Sequence, residues 1–398
     1  MFSAGRVDRA HNIDDLRVLA RKRLPRVCFD FIEGGGEDEV TLADNVEAFS
    51  RLKLRPRSLN GADRMDQRTT VCGTELATPV ILAPVGLPRI VSRNADLDAA
   101  RAAGAAGTVY CVPTGASVSL EEIASVATGP LWFQLYLWKK REVYEGLVRR
   151  AQALGFKALL VTVDSATASK RERDLRNGFT LPLRLSLANR VEAVRHPRWV
   201  WNYLRSPEIS FGNLSGIGKG AATLAELVNK ELNNPGASWA DFERLRGLWT
   251  GPLIAKGVLT AEDARRAVAC GADGVVVSNH GGRQLDTVPA SIDVLPEIVD
   301  AVDPGTEVLL DSGIRRGTDV IKALSLGAKA VLVGRAYMWG LAAADQAGAA
   351  RALEILRHEI EIAQTLLGRP TLADLDPSVV GRVADDQPAD WPPAVATT

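Results

Sequence analysis

The sequence predicts a (β/α)8 barrel carrying an N-terminal helical segment and a long insertion after its fourth strand. Two observations lead there. From about residue 80, short apolar runs alternate eight times with amphipathic segments. Six of those runs end in polar, reactive side chains, as the strands of such barrels do at the catalytic face.

The apolar runs are VILAPVG (80–86), TVYCVPT (108–114), LWFQLYL (131–137), ALLVTVD (158–164), PLIAKGV (252–258), DGVVVSNH (273–280), EVLLDSG (307–313) and AVLVGR (330–335). Near-continuous Val, Ile and Leu suit strands buried on both faces. Between them LDAARAAGAAG, REVYEGLVRRAQALG, AEDARRAVACG and GTDVIKALSLG read as helices, each stopped by Gly. A doubly wound open sheet is the alternative. Eight units in one series favour closure, and no strand leads into a GxGxxG turn. GIGKG at 216–220 reads as loop.

Three parts lie outside the repeat. Residues 1–79 read as helices plus a cover to the barrel's base, and residues 165–238 as the insertion. The polar, Pro-rich 385–398 reads as a mobile tail, so one domain is expected over 1–384.

Composition narrows the function. Forty-eight Lys and Arg balance forty-eight Asp and Glu, so bulk charge gives no case for a nucleic-acid partner. The first residues lack an apolar signal region, and no run of 18 uncharged apolar residues appears. Cys28, Cys72, Cys111 and Cys270 are scattered and form no C-x-x-C, which favours buried thiols over disulfides or a metal site. A cytoplasmic enzyme is the expectation.

The strand ends supply the chemistry. Gln134 and Tyr136 close the third strand, and Thr162 and Asp164 the fourth. Lys256 lies on the fifth, and Ser278-Asn279-His280-Gly281-Gly282-Arg283 follow the sixth. Asp311-Ser312-Gly313 with Arg315 follow the seventh, and Gly334-Arg335 the eighth. The last two loops offer Gly backbone and arginine charge for a phosphate; the plainer reading makes Arg315 and Arg335 surface residues. Of four histidines, His280 is the candidate base, with Asp164 placed to hold its ring. His11, His196 and His358 read as structural or surface groups. Arginine suits a substrate carboxylate. Arg283 is one candidate and Arg171 another, within a basic stretch that also holds Lys170, Arg173, Arg176 and Arg184.

These segments resemble one family, the FMN-dependent 2-hydroxy acid dehydrogenases and oxidases of the lactate, glycolate and mandelate type. The likeness spans roughly residues 13–380, and in overall look it leans to the flavin-dependent L-lactate dehydrogenase branch. SNHGGRQLD (278–286) is its most specific motif. LPRVCFDFIEGGGEDEVTLADN, PVILAPVGL, WFQLYLW, LLVTVD, LIAKGVLTAEDA, LLDSGIRRGTDV and VLVGRAYMWGLAA support it in order and spacing.

The resemblance implies FMN across the barrel mouth. Its ring would meet Gln134, Thr162, Lys256 and the Pro84-Val85-Gly86 backbone, with Ser278 alongside. Its phosphate would meet Arg315, Gly334 and Arg335, near Asp311 and Gly313. His280 would be the base, Asp164 its partner, Tyr136 a donor to substrate oxygen, and Arg171 and Arg283 the carboxylate anchors. The product would be a 2-oxo acid, and the assembly a homotetramer.

Several residues depart from the family pattern. Phe31 stands where many members carry a substrate-binding Tyr. Pro113-Thr114-Gly115 replaces a Ser-Ser or Ser-Thr pair and a following bulky residue, so Pro113 offers the flavin neither a side-chain donor nor an N–H. Gly115 and Phe31 together imply a wider, more apolar pocket for a bulky or aryl acid. Gly86, where oxidases place Ala, points to a quinone or protein rather than oxygen as electron acceptor. Trp199, Trp201 and Tyr203 in HPRWVWNYLR read first as part of a lid over the active site or an oligomer contact; the alternative is a weak membrane-surface contact through 187–235, on the inner face of the membrane. Three rival readings remain: a same-fold flavoenzyme acting on a peptide or biosynthetic intermediate, a flavin- or phosphate-binding barrel without turnover, and a lyase using Lys256 as a Schiff base.

Overall fold

A computed structural model describes residues 7–59, 63–180, 183–207, 209, 211–214 and 234–382. Eight parallel strands close into a barrel in chain order: β1 (Val80–Leu82), β2 (Tyr110–Pro113), β3 (Leu131–Tyr136), β4 (Ala158–Thr162), β5 (Leu253–Val258), β6 (Gly274–Val277), β7 (Glu307–Asp311) and β8 (Ala330–Val333). β8 pairs with β1, so no edge is left. Helices alternate with the strands, as the Gly-terminated amphipathic segments predict. The tail 385–398 and GIGKG lie outside the described residues.

The period-2 alternation of strand side chains explains why the runs are apolar throughout. Ile81, Cys111, Trp132, Leu160, Ile254, Val276, Leu309 and Leu332 pack together inside the barrel. Their chain neighbours, such as Leu82, Val112, Phe133, Val161 and Leu310, belong to the outer core under the helices. Two residues beyond this inner layer, on the same face, come Pro113, Gln134, Thr162, Lys256, Ser278, Asp311 and Gly334. One strand period therefore separates a dry lumen from a polar floor.

The N-terminal segment divides its work. The hairpin Thr69–Val71 with Thr74–Leu76 covers the barrel's base: Val71 and Leu76 join the inner cluster, and the Trp132 indole donates to Thr74 Oγ1 at 3.2 Å. The helices Arg26–Glu33 and Val40–Arg51 belong instead to the opposite end. Asn45 bonds Asn279 at 2.9 Å, and Arg283 donates to the Phe31 carbonyl at 2.9 Å. The expected basal cover thus comes from the hairpin alone, because the helices' partners are loops after β6 and β8.

Candidate active site

A pocket opens at the C-terminal ends of the strands. Its lining includes Phe31, Pro84, Val85, Gly86, Pro113, Gly115, Tyr136, Arg171, Lys256, His280, Arg283, Asp311, Gly313, Arg315, Gly334 and Arg335. Gln134, Thr162 and Ser278 lie just beneath it. Gln134 Nε2 donates to Thr162 Oγ1 at 2.8 Å, and its Oε1 accepts the Thr114 N–H at 3.1 Å. Gln134 and Thr162 thus pair with each other in the floor, while Ser278 Oγ accepts from Lys256 Nζ and from the His280 N–H.

His280 occupies a left-handed backbone position, φ 60°, followed by Gly281 and Gly282 at 68° and 69°. A non-glycine residue there costs of order 1–3 kcal/mol and persists where its surroundings over-determine it. Three bonds do so here. The His280 N–H donates to Ser278 Oγ (3.0 Å), Gly281 N–H to Ser312 Oγ (2.9 Å) and Gly282 N–H to Asn279 Oδ1 (3.1 Å). The His280 ring then meets Asp164, with Nδ1 at 3.1 and 3.2 Å from the two carboxylate oxygens. Burial raises the cost of the Asp164 charge, but His280 and Lys256 outweigh it and hold the carboxyl below its usual range.

Lys256 is 3% exposed and bonds Asp311 at 2.8 Å and Ser278 Oγ at 2.9 Å. Desolvation lowers its pKa, yet Asp311 and Asp164 more than offset that and raise it, so it stays charged. Burial and Asp164 push the Tyr136 phenol up, which keeps it a hydrogen-bond donor.

The arginines show what the mouth requires. Arg315 donates to the Ile314 carbonyl, and Arg335 to the carbonyls of Ile32, Glu33, Gly34 and Gly281. Arg283 donates to the carbonyls of Phe31 and Gly34. None has a carboxylate within ion-pair distance among the described residues. Burial lowers all three. Arg283 falls well below its ordinary value with Arg171 and Arg335 adding to the effect, and Arg335 falls to about 10. Half-buried cations that repel one another create a demand for anions. A phosphate at Arg315 and Arg335, and a carboxylate near Arg283, fit that demand. Close approach is built in: a Cβ on Gly281 would stand 2.7 Å from Arg335 Nη1, and one on Gly313 2.0 Å from the Asn45 carbonyl.

The basic stretch after β4 sorts itself. Arg171 alone of the five lines the pocket, 5.6 Å from the Phe31 ring centre. Arg173 and Arg176 line a separate outer cleft, and Lys170 pairs with Glu172.

The insertion supplies lining that spacing did not reveal. Phe179 stacks on Phe31 with centroids 4.5 Å apart, and Phe211 and Trp138 complete an apolar wall. A Cβ on Gly115 would lie 3.0 Å from Phe211 Cε1. The volume expected to open at Gly115 is therefore occupied by Phe211. The aromatic helix Pro197–Arg205 also differs from expectation. Trp199 is buried, with its indole donating to the Ile90 carbonyl at 2.9 Å, and Tyr203 stacks on it at 5.0 Å; only Trp201 of the three faces solvent. One face of the helix packs inward through Trp199 and Tyr203, and the other leaves Trp201 and Leu204 exposed.

A barrel whose mouth joins a histidine–carboxylate pair to half-buried guanidinium groups with no ion-paired carboxylate among the described residues defines an enzyme equipped for an anionic substrate and a phosphorylated cofactor. Residues 20–382 match the family described as FMN-dependent dehydrogenase, and the chain belongs to that family. It is an FMN-dependent enzyme that oxidises a 2-hydroxy acid. L-lactate dehydrogenase of Xanthomonas axonopodis pv. citri (strain 306) is 42% identical over 376 residues, 94% of this chain and 97% of that protein. 2-Hydroxyacid oxidase 1 of Homo sapiens is 42% identical over 369 residues, 92% of this chain and 95% of that one. Among solved structures, the monotopic membrane protein (S)-mandelate dehydrogenase superposes with a TM-score of 0.90 at 37% identity, covering 94% of this chain and all of that one.

Proposed function

We propose that this pocket oxidises an L-2-hydroxy acid with a bulky or aryl side chain to its 2-oxo acid. The observation that carries the reading is the juxtaposition of two guanidinium groups, Arg171 and Arg283, with an aromatic wall of Phe31, Phe179, Phe211 and Trp138. The substrate carboxylate lies against the arginines and its apolar group against the rings. Tyr136 donates to the substrate oxygen. His280 takes the proton that leaves the substrate, and Asp164 stabilises the imidazolium that results.

Arg315, Arg335, Gly313 and Gly334 would hold the FMN phosphate. The floor of Gln134, Thr162, Lys256 and Ser278, with Pro84-Val85-Gly86, Pro113 and Asp311, would carry the rest. Bound FMN supplies the two-electron acceptor, and Lys256 places positive charge where reduction adds electrons. Gly86 favours a quinone or protein over oxygen as the final acceptor.

The test is the visible spectrum of the purified holoenzyme during anaerobic titration with a panel of 2-hydroxy acids. Bleaching by aryl acids at lower concentration than by lactate or glycolate is the expected result; preference for the small acids overturns the substrate assignment. Faster reoxidation by a quinone analogue than by air supports the acceptor reading, and the reverse overturns it.

A second reading concerns the insertion. Leu187 and Val191 lie one turn apart on the helix Leu187–Ala193, Val194 caps it, and Trp201 and Leu204 lie on the next helix; all five are exposed, with Arg190, Arg195 and Arg205 in the same stretch of chain. This supports peripheral seating on a membrane surface. No helix among the described residues is long and apolar enough to cross one. Pelleting with lipid vesicles tests it, and a fully soluble distribution contradicts it.

A further inference from the structure

Two side chains beside the histidine–carboxylate pair have no part in the chemistry assigned above. Ser165 directly follows Asp164, and Gln284 directly follows Arg283. Gln284 Nε2 donates to Ser165 Oγ at 2.7 Å, and Ser165 Oγ donates to Asp164 Oδ1 at 3.2 Å. The Asp164 oxygens in turn lie 3.1 and 3.2 Å from His280 Nδ1. Gln284, Ser165, Asp164 and His280 therefore form one chain of hydrogen bonds, and its first two members stand outside the pocket lining.

Counting protons fixes the direction of this chain. A hydroxyl has one hydrogen to give. The Gln284 amide N–H fills an acceptor position on Ser165 Oγ, which leaves the single O–H for the carboxylate. A hydrogen bond to an ionised acceptor is the stronger kind. Burial disfavours the Asp164 charge, and the Ser165 hydroxyl acts with His280 and Lys256 to hold the carboxyl below its usual range. Among the described residues, His280 and Ser165 are the hydrogen-bond partners of that carboxylate.

The loop that brings Gln284 to Ser165 is itself pinned. Ser169 Oγ donates to the Arg283 carbonyl, a second rung between the same two segments. Against the same loop, the Gly36 N–H donates to the Gly282 carbonyl at 2.8 Å, and a Cβ on Gly36 would stand 2.6 Å from the Gln284 carbonyl oxygen. That packing fixes where the Gln284 side chain starts, and the Ser169 rung holds Arg283 independently of it.

We propose that Gln284 and Ser165 are positioning residues for the oxidation, holding the Asp164 carboxylate aimed at His280 Nδ1 while the imidazole carries its added proton. The inference rests on the reading of His280 as the base, and adds the groups that keep its partner in place. Their effect falls on the step in which His280 becomes positive, because only then does the Asp164 charge meet a full opposite charge. An interaction realised in that step lowers the rate when it is removed and leaves substrate binding in place.

The experiment is anaerobic stopped-flow reduction of the FMN-loaded full-length enzyme by (S)-mandelate and by L-lactate, which yields a limiting rate and a half-saturating concentration. Ser165→Ala is expected to lower the limiting rate about tenfold, the worth of one hydrogen bond to a charged group, with half-saturation within about twofold. Ser165→Thr keeps the hydroxyl and should recover a rate within about threefold of wild type. Gln284→Met keeps the length, removes the amide, and should slow reduction roughly threefold. The double variant Ser165→Ala/Gln284→Met should be no slower than Ser165→Ala, because Gln284 acts through a hydroxyl that is already gone. A Ser165→Ala rate within about twofold of wild type overturns the relay, as does a loss that threonine does not recover, or losses that multiply in the double variant. If Ser165→Ala fails to fold, Gln284→Met decides: an unchanged rate overturns the relay. Flavin reduction in His280→Ala within about tenfold of wild type overturns the base and the relay with it. A slow His280→Ala beside an unaffected Ser165→Ala overturns the relay alone.

Discussion

His280 Nδ1 reaches both carboxylate oxygens of Asp164, at 3.1 and 3.2 Å, across a strand that separates them. Asp164 follows β4 and His280 follows β6; β5 lies between. The bridge passes over Gly257 of β5, where the register to β6 shifts and φ is 107°. A Cβ there would stand 2.5 Å from Asp164 Cγ. The bulge and the missing side chain open the path by which the carboxylate meets the imidazole.

Gly257→Ala is therefore expected to displace Asp164 and to slow turnover on the order of 100-fold, the scale on which misplacing a catalytic partner by about 1 Å acts. Flavin content should be retained, because no group assigned to the phosphate moves. Steady-state kcat beside the flavin absorbance of the variant checks both parts.

Arg171 stands on the Phe31 ring and pairs with Asp174 at 3.4 Å, leaving its fork at the pocket wall. A charge-assisted hydrogen bond is worth about 1.5–3 kcal/mol. Arg171→Gln should raise KM for a 2-hydroxy acid roughly 10- to 150-fold and leave kcat within a few-fold, since the histidine pair is untouched. Initial rates over a wide substrate range separate the two.

Asp96 gives a pH prediction away from the chemistry. Burial drives its carboxyl up to about 7, against hydrogen bonds from the Ser117 N–H and the Tyr110 phenol. A raised carboxyl is protonated in the folded chain where the unfolded chain has already released its proton. Its contribution to stability is thus fully present below the ordinary carboxylate value, is lost as pH rises toward 7, and is flat above that. The slope is about 1.4 kcal/mol per pH unit. Asp96→Asn should remove this slope, read as urea midpoints between pH 4.5 and 8.

Much of this was legible in the sequence because the barrel's signals are local. Eight apolar runs became eight strands, and one strand period carried each run from a dry lumen residue to a polar floor residue, so Gln134, Thr162, Lys256 and Asp311 stood out by position. His280 stood out among four histidines because glycines and an arginine followed it. What stayed hidden depends on contacts distant in the chain. Phe211 fills the space beside Gly115, and Phe179 stacks on Phe31, yet nothing in their own segment marks them as pocket walls. Trp199 and Tyr203 point inward while Trp201 points out, a distinction set by what the helix packs on. Gly257 reads as an ordinary strand residue until Asp164 is placed beside it.

The central claim is that His280 is the base, and single-turnover reduction of the bound flavin in His280→Ala tests it most directly. With an anaerobic saturating 2-hydroxy acid, the rate should fall by roughly 10²- to 10⁴-fold while the oxidised spectrum and FMN content match wild type. A rate within tenfold of wild type would contradict the account.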